Sequence, residues 1–326
     1  MKITELYSIY KQHPQIQTDT RKLKKGELFF ALKGPNFNGN KFIKGALDAG
    51  AAYVIADEQN DINDERFILV DDVLTALQQL AKYHRDQFSI PFIAITGSNG
   101  KTTTKELLHQ VLSTQYKTYT TEGNLNNHIG VPLTILKIKD DAEMAVIEMG
   151  ANHLKEIASY CKYAKPTHGL ITNIGKAHLE GFGSEENVKI GKGELFDYLK
   201  KHDGIAFVNS DDKAVNALGD EMKNSIYFGS KDGNCKGVIL ENSPFLKVKI
   251  KNGNDLEIST HLVGDYNLPN IVAAACVGSY FKIKDGNIKQ SMEGYIPSNS
   301  RSQWMSIGTN DIILDAYNAN PGSMKA

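Results

Sequence analysis

The stretch Pro91-Phe-Ile-Ala-Ile-Thr-Gly-Ser-Asn-Gly-Lys-Thr-Thr-Thr104 determines how the rest of the chain is interpreted. Its apolar, β-branched run ends at Gly97, and a glycine-rich turn leads into a helix that we expect to begin near Lys101. A strand, a turn and a helix in this order are typical of a loop that binds the phosphates of a nucleotide. The backbone N–H groups from Gly97 to Lys101 would surround an anion at the positive end of the helix dipole.

Two side chains of this loop suit a triphosphate and its cation. Lys101 would reach the β- and γ-phosphates, and the hydroxyl of Thr102 would bind Mg²⁺. The spacing is Gly-x-x-Gly-Lys-Thr rather than the full Gly-x-x-x-x-Gly-Lys-Thr, because Ile95 occupies the position of the first glycine. The alternative is an ordinary strand–turn–helix junction with a lysine in solvent. The flanking elements and the triple threonine favour ATP or a close relative as the ligand.

Composition narrows the class of protein. The chain has 326 residues, and this length favours two or three domains. A hydrophobic fraction of 41% and a charged fraction of 23% are those of an ordinary globular protein. Because 37 basic and 38 acidic side chains leave a net charge of −1, we expect no nucleic-acid partner.

The cysteines and the apolar runs bear on the location of the protein. Cys161, Cys235 and Cys276 stand apart without metal-type spacing, as in proteins of a reducing compartment. The first ten residues lack the apolar run of a signal peptide, and no stretch has the length of a membrane-spanning helix. We therefore expect a cytoplasmic protein that does not insert into a membrane.

Apolar runs that alternate with helical patterns predict an α/β protein with more than one domain. A small α/β domain is expected over residues 1–88, with Ser89-Ile-Pro91 as the junction that follows it. Residues 89–300 are expected to form the nucleotide-binding domain around a mostly parallel sheet. Within it, the alternation over 236–262 predicts an antiparallel addition to the sheet. Two short strands would open a third domain over 301–326.

Polar residues near the strand ends are the next candidates for chemistry. The carboxyl ends of parallel strands line the ligand crevice of an open sheet, so Glu148 and His178 should lie beside the phosphate loop. The Glu148 carboxylate suits a hard cation, with a salt bridge or a helix cap as the alternative. For His178 and Lys192 the alternatives are a structural histidine and a solvated lysine. For Asn267 and Asn270 the alternative is helix capping.

Five motifs follow one another along the chain: Ile95-Thr-Gly-Ser-Asn-Gly-Lys-Thr-Thr-Thr104, Gly123-Asn-Leu-Asn-Asn-His-Ile-Gly-Val-Pro-Leu133, Glu148-Met-Gly-Ala-Asn152, Asn173-Ile-Gly-Lys-Ala-His-Leu-Glu-Gly-Phe-Gly183 and Asp315-Ala-Tyr-Asn-Ala-Asn-Pro-Gly-Ser323. Together they resemble the Mur ligases, the ATP-dependent amide-forming enzymes of peptidoglycan synthesis. Within the last motif, Tyr317-Asn-Ala-Asn-Pro321 indicates the branch that adds D-Ala-D-Ala, because the sister ligase that adds the third peptide residue usually carries Tyr-Ala-His there.

The resemblance implies a fold, a reaction and its reactants. It implies a UDP-binding domain, a central ATPase and a Rossmann-like third domain that presents the incoming amine. ATP and Mg²⁺ would activate the carboxylate of UDP-MurNAc-tripeptide as an acyl phosphate, which the amine of D-Ala-D-Ala then attacks. We expect a monomer. We also expect the chain to contain only the start of the third domain, so that ligation is impaired.

The resemblance also implies roles for individual residues. Lys101, His178 and Lys192 would be catalytic, and Lys192 would react with CO₂ to give a carbamate, an anionic oxygen ligand. The residues that would bind Mg²⁺ are Thr102, Glu148, His178 and carbamylated Lys192. Those that would bind ATP are Gly97, Ser98, Asn99, Gly100, Lys101, Thr102, Thr103, Asn267, Asn270, Arg301 and Asp315. Those that would bind the UDP-substrate are Asp19, Thr20, Arg21, Gly34, Asn38, Gly39, Asn126 and Asn127.

Two positions depart from the family pattern. Asn38-Gly39-Asn40 replaces the commoner Asp-Gly-His, and Tyr266 stands where a histidine often precedes the adenosine-contacting Asn267. Three other interpretations remain open: a sister Mur ligase, a ligase like folylpolyglutamate synthase, and a nucleotide-binding module without catalysis. The folylpolyglutamate type normally lacks a UDP-binding front domain, so binding of a UDP-sugar to residues 1–85 would exclude it.

Overall fold

The computed structural model describes residues 1–59, 61–298, 300–317 and 324, which fold as two units. The first unit comprises Met1–Ser89, His128–Asp140 and Lys162–Lys165, and the second comprises the other described residues. Among the residues described, no helix combines the length and the apolar character of a membrane span.

Helices and strands alternate along most of the described chain. The α-helices are α1 (Ile3–Gln12), α2 (Ile43–Asp48), α3 (Val73–Arg85), α4 (Lys101–Leu112), α5 (Gly130–Leu136), α6 (Glu156–Ala164), α7 (Leu179–Phe182), α8 (Glu185–Lys201), α9 (Lys213–Gly219), α10 (Leu268–Tyr280) and α11 (Asp285–Glu293), with 3₁₀ turns at Gly39–Phe42 and Asp265–Asn267. The strands are β1 (Ile16–Gln17), β2 (Leu28–Phe30), β3 (Lys33–Gly34), β4 (Phe37–Asn38), β5 (Tyr53–Ala56), β6 (Phe67–Leu69), β7 (Phe92–Thr96), β8 (Thr118–Thr120), β9 (Met144–Glu148), β10 (His168–Ile171), β11 (Ile205–Asn209), β12 (Ser225–Gly229), β13 (Cys235–Asn242), β14 (Leu246–Lys251), β15 (Asp255–Ser259), β16 (Gln303–Ile307) and β17 (Asn310–Leu314).

The sheet of the first unit is parallel and has the strand order β1-β2-β5-β6. Strand β2 is buried at all three positions, which is typical of an apolar run in a parallel sheet.

Helix α3 begins after Asp72, whose Oδ1 accepts a hydrogen bond of 2.7 Å from the N–H of Thr75. Aspartate is a preferred capping residue, and this hydrogen bond explains why the helix begins at Val73.

A segment beyond residue 89 completes the first unit. His84 of α3 lies with Nε2 2.8 Å from the carbonyl oxygen of Ile138. The hydroxyl of Tyr10 donates to the carbonyl oxygen of Leu136. Residues 128–140 lie within the stretch 89–300 that is expected to form the nucleotide-binding domain, and in the structure their helix α5 packs on α3.

The second unit is built on a nine-stranded sheet with the order β15-β14-β13-β12-β11-β10-β7-β9-β8. The pairs from β8 to β13 are parallel. The two pairs from β13 to β15 are antiparallel. The predicted α/β class, with a mostly parallel sheet and an antiparallel addition, is therefore confirmed.

The register of the parallel strands brings three strand ends to one edge of this sheet. Ile95 of β7 pairs with Glu148 of β9, and Thr96 pairs with Ile171 of β10. Strand β7 is buried at all five positions, so the phosphate loop leaves directly from the core. The loop, Glu148 and the residues after Ile171 consequently share an edge of the sheet.

Helix α10 packs closely on α4, the helix that follows the phosphate loop. The three consecutive residues Ala273, Ala274 and Ala275 are buried in this core. A Cβ on Gly278 would lie 2.6 Å from Cγ1 of Val111, so this approach of the two helices requires glycine. The packing sets the start of α10 beside the loop.

The antiparallel hairpin of β16 and β17 is the last secondary-structure element among the described residues of the second unit. It agrees with the two short strands that the sequence predicts over residues 301–326. Residues 318–323 of the last motif lie outside the described residues. The division into domains over 1–88, 89–300 and 301–326 stays a prediction.

Candidate active site

Two glycines shape the predicted phosphate loop. Gly97 has φ +141° and Gly100 has φ +78°, which are conformations that side chains disfavour. A Cβ on Gly97 would lie 2.0 Å from Oγ1 of Thr172, and one on Gly100 would lie 2.5 Å from Oδ1 of Asn270. Both positions therefore need glycine for its backbone conformation and for the close approach of neighbouring side chains.

Lys101 folds back over the loop. Its Nζ donates hydrogen bonds to the carbonyl oxygens of Gly97, at 2.8 Å, and Ser98, at 3.1 Å. Loss of hydration lowers the pKa of Lys101, the charge of Glu148 opposes this shift, and the charge of Arg301 adds to it. A phosphate in the loop would therefore compete with two carbonyl oxygens for this amine.

The N–H groups of two loop residues differ from the expectation that they face an anion. The Ser98 N–H donates to the carbonyl oxygen of Asn173 at 3.0 Å. The Asn99 N–H donates to Oδ1 of Asn173, also at 3.0 Å. Asn173, two residues after the end of β10, therefore accepts from both N–H groups.

Glu148 and Thr102 form the centre of the predicted metal site. The Thr102 hydroxyl donates to Glu148 Oε1 at 3.2 Å, and Asn126 Nδ2 donates to the same oxygen at 2.8 Å. The Thr121 hydroxyl accepts from the Glu148 N–H at 2.9 Å. The second carboxylate oxygen, Oε2, is buried without a hydrogen-bond partner in the described structure.

This donor set fits a magnesium ion. A buried carboxylate oxygen without a partner is costly, and a hard cation bound by oxygen ligands would satisfy it. In the described residues, no three His, Cys, Asp or Glu side chains cluster as they would in a closed metal site. The predicted set contains only Glu148 and His178 of these types, and a site that shares Mg²⁺ with substrate phosphates needs few protein ligands.

Lys192 is buried, which contradicts the alternative of a solvated lysine. Lys192 is 1% exposed, and its Nζ donates a hydrogen bond of 2.9 Å to the carbonyl oxygen of Ala151. Nζ also lies 5.3 Å from the ring centroid of Phe182. Burial, and then the positive charge of Lys101, lower the pKa of Lys192 to about 7. A large share of this amine is therefore neutral near pH 7.

His178 lies within electrostatic reach of both lysines. It adopts the left-handed conformation, with φ +53°, directly before α7. Partial loss of hydration lowers its pKa, and the charges of Lys192 and Lys101 lower it further. The structure thus brings the three predicted catalytic side chains into one electrostatic neighbourhood.

Two carboxylates that the sequence analysis missed hold the chain segment beside Lys192. Glu194 of α8 accepts from the N–H groups of Lys155 and Ala158, the latter at 2.8 Å. Glu156 Oε2 accepts from the Asn152 N–H at 2.6 Å and from the next N–H at 2.9 Å. These contacts fix the segment that contains Ala151, the partner of Lys192. The only sequence signal was the position of Glu194 two residues after Lys192.

Asn267 and Asn270 do not act as helix caps. Asn267 precedes α10 without a side-chain cap, and its Nδ2 donates to the carbonyl oxygen of Val263 at 2.9 Å. Asn270 Nδ2 donates to Asn267 Oδ1 at 2.9 Å, and Asn270 Oδ1 accepts from the Thr104 hydroxyl at 3.0 Å. Both asparagines are buried. They connect α10 to the first turns of α4, next to the phosphate loop.

Arg301 and Asp315 lie on the segment that includes the last hairpin. The Arg301 guanidinium is 3.8 Å from the centroid of the Tyr317 ring, and its buried Nε has no hydrogen-bond partner in the described structure. Asp315 Oδ2 accepts from the Ser302 hydroxyl at 3.1 Å, and that hydroxyl lies 2.5 Å from the hydroxyl of Tyr266. Tyr266, the departure from the family histidine, thus contacts the partner of a predicted nucleotide ligand.

In the first unit, Asp19 and Arg21 form a two-point ion pair. Arg21 Nε and Nη2 lie 2.9 and 2.8 Å from the two Asp19 carboxylate oxygens. These hydrogen bonds, the side-chain ones foremost, lower the pKa of Asp19 to about 2. Thr20 lies between them in the same turn, and its carbonyl oxygen accepts from the Leu23 N–H at 3.4 Å.

The loop Asn38-Gly39-Asn40 has a structural explanation in this chain. Asn40 is buried, and its Nδ2 donates to Asp57 Oδ1 at 2.8 Å and to Asn38 Oδ1 at 3.0 Å. A Cβ on Gly39 would lie 2.6 Å from the main chain of Ala31. Gly34 is exposed in the small hairpin of β3 and β4. Asn40 therefore braces this loop, while Gly34 and Asn38 remain predicted substrate contacts, as does Asn127 in the second unit.

Comparison with known families gives two matches. Residues 95–278 match the family described as "Mur ligase middle domain". Residues 14–85 match the family described as "Mur ligase family, catalytic domain". The first match alone spans more than half of the chain and contains the phosphate loop, Glu148, His178 and Lys192.

Several curated relatives are named UDP-N-acetylmuramoyl-tripeptide–D-alanyl-D-alanine ligase. The protein from Bacillus subtilis (strain 168) is 38% identical over 315 residues, which cover 95% of this chain and 68% of that protein. The protein from Escherichia coli (strain K12) is 36% identical over 324 residues, which cover 95% of this chain and 70% of that protein.

Solved structures agree with these sequence matches. A crystal structure of MurF from Acinetobacter baumannii has a TM-score of 0.90 at 29% identity and covers 100% of this chain and 75% of that one. The structure of MurF ligase from Thermotoga maritima in complex with ADP has a TM-score of 0.83 at 28% identity. It covers 96% of this chain and 73% of that one.

Proposed function

The chain belongs to the Mur ligase family, and from this premise we propose that it joins D-Ala-D-Ala to UDP-MurNAc-tripeptide. As a member of this family it is an ATP-dependent ligase of peptidoglycan synthesis that forms an amide bond. The two substrates are those in the names of relatives at 38% and 36% identity. The motif Tyr317-Asn-Ala-Asn-Pro321 supports the same branch.

The observation that carries the proposal is the contact between the Thr102 hydroxyl and Glu148 Oε1 at 3.2 Å. It sets a carboxylate, with its second oxygen buried and unpartnered, at the first turn of the helix after a phosphate loop. A triphosphate at a helix N-terminus needs a cation held by such oxygens. When bound by Thr102 and Glu148, Mg²⁺ would neutralise charge on the β- and γ-phosphate oxygens.

The residues of the chain position the reactants for two successive steps. Lys101 places a positive charge beside the phosphates, and Asn126 holds the Glu148 carboxylate through a hydrogen bond of 2.8 Å. First, an oxygen of the tripeptide carboxylate attacks the γ-phosphorus of ATP, and ADP leaves. Second, the amine of D-Ala-D-Ala attacks the acyl carbon, the phosphate leaves with that carboxylate oxygen, and the amine loses a proton.

Lys192 is proposed to work as a carbamate. Its neutral amine would add to CO₂ and release one proton, which gives an anion with two oxygen ligands in place of a basic amine. Burial of an ammonium beside Lys101 is unfavourable, so the adduct relieves a charge conflict. Together with His178, the carbamate would supply further ligands for the cation.

The first unit is proposed to bind the UDP part of the substrate. The contacts would come from the turn Asp19-Thr20-Arg21 and from Gly34, Asn38 and Gly39. The ion pair of Asp19 and Arg21 leaves Arg21 exposed, which suits a diphosphate. A monomer that works in the cytoplasm is part of the same proposal.

Substrate-dependent release of ADP tests this function. ATP is supplied with UDP-MurNAc-tripeptide and D-Ala-D-Ala, or with UDP-MurNAc-dipeptide and either lysine or meso-diaminopimelate, and the products are identified by mass spectrometry. We expect ADP and an amide product with D-Ala-D-Ala alone. An amide with one of the amino acids would assign the chain to a sister ligase. ATP binding without ADP release in any mixture would assign it to the non-catalytic modules.

A further inference from the structure

The segment after β10 holds the phosphate loop through Asn173. Asn173 Oδ1 accepts from the Asn99 N–H at 3.0 Å, and Asn173 Nδ2 donates to the Asn99 carbonyl oxygen at 3.1 Å. An amide side chain offers one acceptor and one donor group, so it can bind both ends of one residue's main chain. We propose that Asn173 is a positioning residue that fixes the orientation of the Asn99 backbone for binding of a nucleotide diphosphate group.

Neighbouring contacts support this assignment. The Thr172 hydroxyl donates to the Asn99 carbonyl oxygen at 2.6 Å. The Ser98 hydroxyl donates to the Gly175 carbonyl oxygen at 3.1 Å and accepts from the Gly175 N–H at 2.9 Å. The main-chain oxygen of Asn173 accepts from the Ser98 N–H at 3.0 Å. Two consecutive loop residues are thus bound to one segment through both main chain and side chains.

The orientation of these peptide groups decides which donors face a phosphate. Because the Ser98 and Asn99 N–H groups point to Asn173, they do not point towards a ligand in the loop. The N–H groups in the first turn of α4 have no partner within the helix, so they are the donors that an anion meets. If the Asn99 peptide rotated, its carbonyl oxygen would turn towards the phosphates and repel them.

Asn173 acts through Asn99 and does not itself contact the ligand. Removal of its side chain takes away one acceptor and one donor and leaves the bond from the Thr172 hydroxyl to the Asn99 carbonyl oxygen in place. Loss of one accepted and one donated hydrogen bond weakens this hold, and a donor or acceptor left without a partner adds to the loss. The effect should therefore fall on the phosphate-dependent part of nucleotide affinity.

The inference rests on the proposed phosphate loop, and its test separates the two. The affinities of ADP and adenosine are measured for the wild-type chain and for Asn173→Ala, Asn173→Asp and Lys101→Ala. We expect Asn173→Ala to weaken ADP about tenfold, which corresponds to about 1.4 kcal/mol, and to leave adenosine unchanged. Asn173→Asp keeps an acceptor for the Asn99 N–H but repels its carbonyl oxygen, so we expect at least the same loss.

Asn209→Ala is the matched control for loss of stability. Asn209 is buried at the end of β11, and its Nδ2 donates to the Thr172 carbonyl oxygen at 3.1 Å without contact to Asn99. We expect a lower Tm and an unchanged ratio of ADP to adenosine affinity. Thr172→Val removes the hydrogen bond from the Thr172 hydroxyl to the Asn99 carbonyl oxygen and should lower the ratio of ADP to adenosine affinity by a smaller factor. This variant tests the same restraint on the Asn99 backbone if Asn173→Ala fails to fold.

The outcomes are distinct. If Lys101→Ala lowers the ratio of ADP to adenosine affinity but Asn173→Ala leaves it unchanged, the role of Asn173 is overturned. If Asn173→Ala does not fold, an unchanged ratio in both Asn173→Asp and Thr172→Val has the same meaning. An unchanged ratio in Lys101→Ala would overturn the phosphate loop itself. An equal fall in ADP and adenosine affinity in Asn173→Ala would show a purely structural role and would also overturn the inference.

Discussion

The Thr102 hydroxyl donates to Glu148 Oε1 across 3.2 Å, and this contact joins the first turn of α4 to the end of β9. The two residues are 46 positions apart in the chain. The parallel register that pairs Ile95 with Glu148 brings them together. A loop that would bind phosphates and a carboxylate that would bind their cation thus meet because of sheet topology.

Replacement of Glu148 by glutamine should abolish most of the ATP-dependent activity. The amide keeps an oxygen that can accept from Thr102 and Asn126 but removes the charge that would hold Mg²⁺. We expect kcat to fall on the order of 100-fold, because a bound metal ion supplies several kcal/mol of transition-state stabilisation. Tm should not fall, since a buried charge is removed. Glu257→Gln, at an exposed position of β15, is the control, and an active Glu148→Gln variant would exclude the metal role.

The carbamate on Lys192 can be observed directly. With ¹³CO₂, the wild-type chain should show a carbamate signal in ¹³C NMR that Lys192→Ala lacks. The signal should grow above pH 7, because burial lowers the pKa of Lys192 to about 7 and only the neutral amine adds to CO₂. Activity of Lys192→Ala should fall about 100-fold and recover in part with bicarbonate.

Lys201→Ala provides the matched control for this experiment. Lys201 is exposed at the end of the same helix, so its replacement should leave both signal and activity unchanged. A carbamate signal that persists in Lys192→Ala, or full turnover in that variant, would rule out this role of Lys192.

Gly100→Ala should prevent nucleotide binding. The new Cβ would lie 2.5 Å from Asn270 Oδ1, at a residue with φ +78°. Gly253→Ala is the control, because Gly253 has φ +107° but no atom within 4 Å of the new Cβ. Both variants carry backbone strain of about 1 kcal/mol or more, whereas only Gly100→Ala displaces Asn270. Equal ADP affinity in the two variants would mean that the contact with Asn270 is unimportant.

Acid should destabilise the second unit through His168. This histidine packs between aromatic rings, and burial lowers its pKa to about 4 from an ordinary value of 6.5. The unfolded chain binds a proton below pH 6.5 and the folded chain does not until about pH 4, so stability is lost as pH falls through this window. The loss amounts to about 3 kcal/mol at most.

Tm measured at pH 7.5 and pH 4.5 tests this linkage. Burial also lowers the pKa values of His84 and His109, so these histidines contribute to the loss of stability in acid as well. The test therefore compares the fall in Tm between variants. His168→Gln should lower Tm at pH 7.5 yet show a smaller fall towards pH 4.5 than the wild-type chain. The exposed control His202→Gln should behave as the wild-type chain does, and an identical acid response of His168→Gln would refute the assignment.

Local sequence predicted the helices and strands whose apolar residues recur with a clear helical or strand spacing. The apolar run that ends at Gly97 is observed as the strand Phe92–Thr96, and the helix expected to begin near Lys101 is observed as Lys101–Leu112. Helix α6 was not predicted, because its start is held by Glu194, whose partners Lys155 and Ala158 lie 39 and 36 positions away. Such capping depends on tertiary contacts that no local pattern contains.

The chemistry of the site was predictable only in part. Residue types and spacing indicated a nucleotide loop, but the burial of Lys192 follows from its contacts with Ala151 and Phe182, which are distant in sequence. Asn173 stood in a quoted motif without a role, since its function depends on the approach of β10 to the loop. Sequence periodicity therefore could not predict the contacts between the ends of separate strands.

Transfer of an oxygen label tests the central claim, activation of the tripeptide carboxylate by phosphoryl transfer. UDP-MurNAc-tripeptide labelled with ¹⁸O in the reacting carboxylate is incubated with the chain, ATP, Mg²⁺ and D-Ala-D-Ala, and the phosphate released is analysed by mass spectrometry. The proposed steps transfer one carboxylate oxygen to each phosphate, so the phosphate should contain one ¹⁸O. Phosphate without label would show that water attacks ATP and would contradict the mechanism.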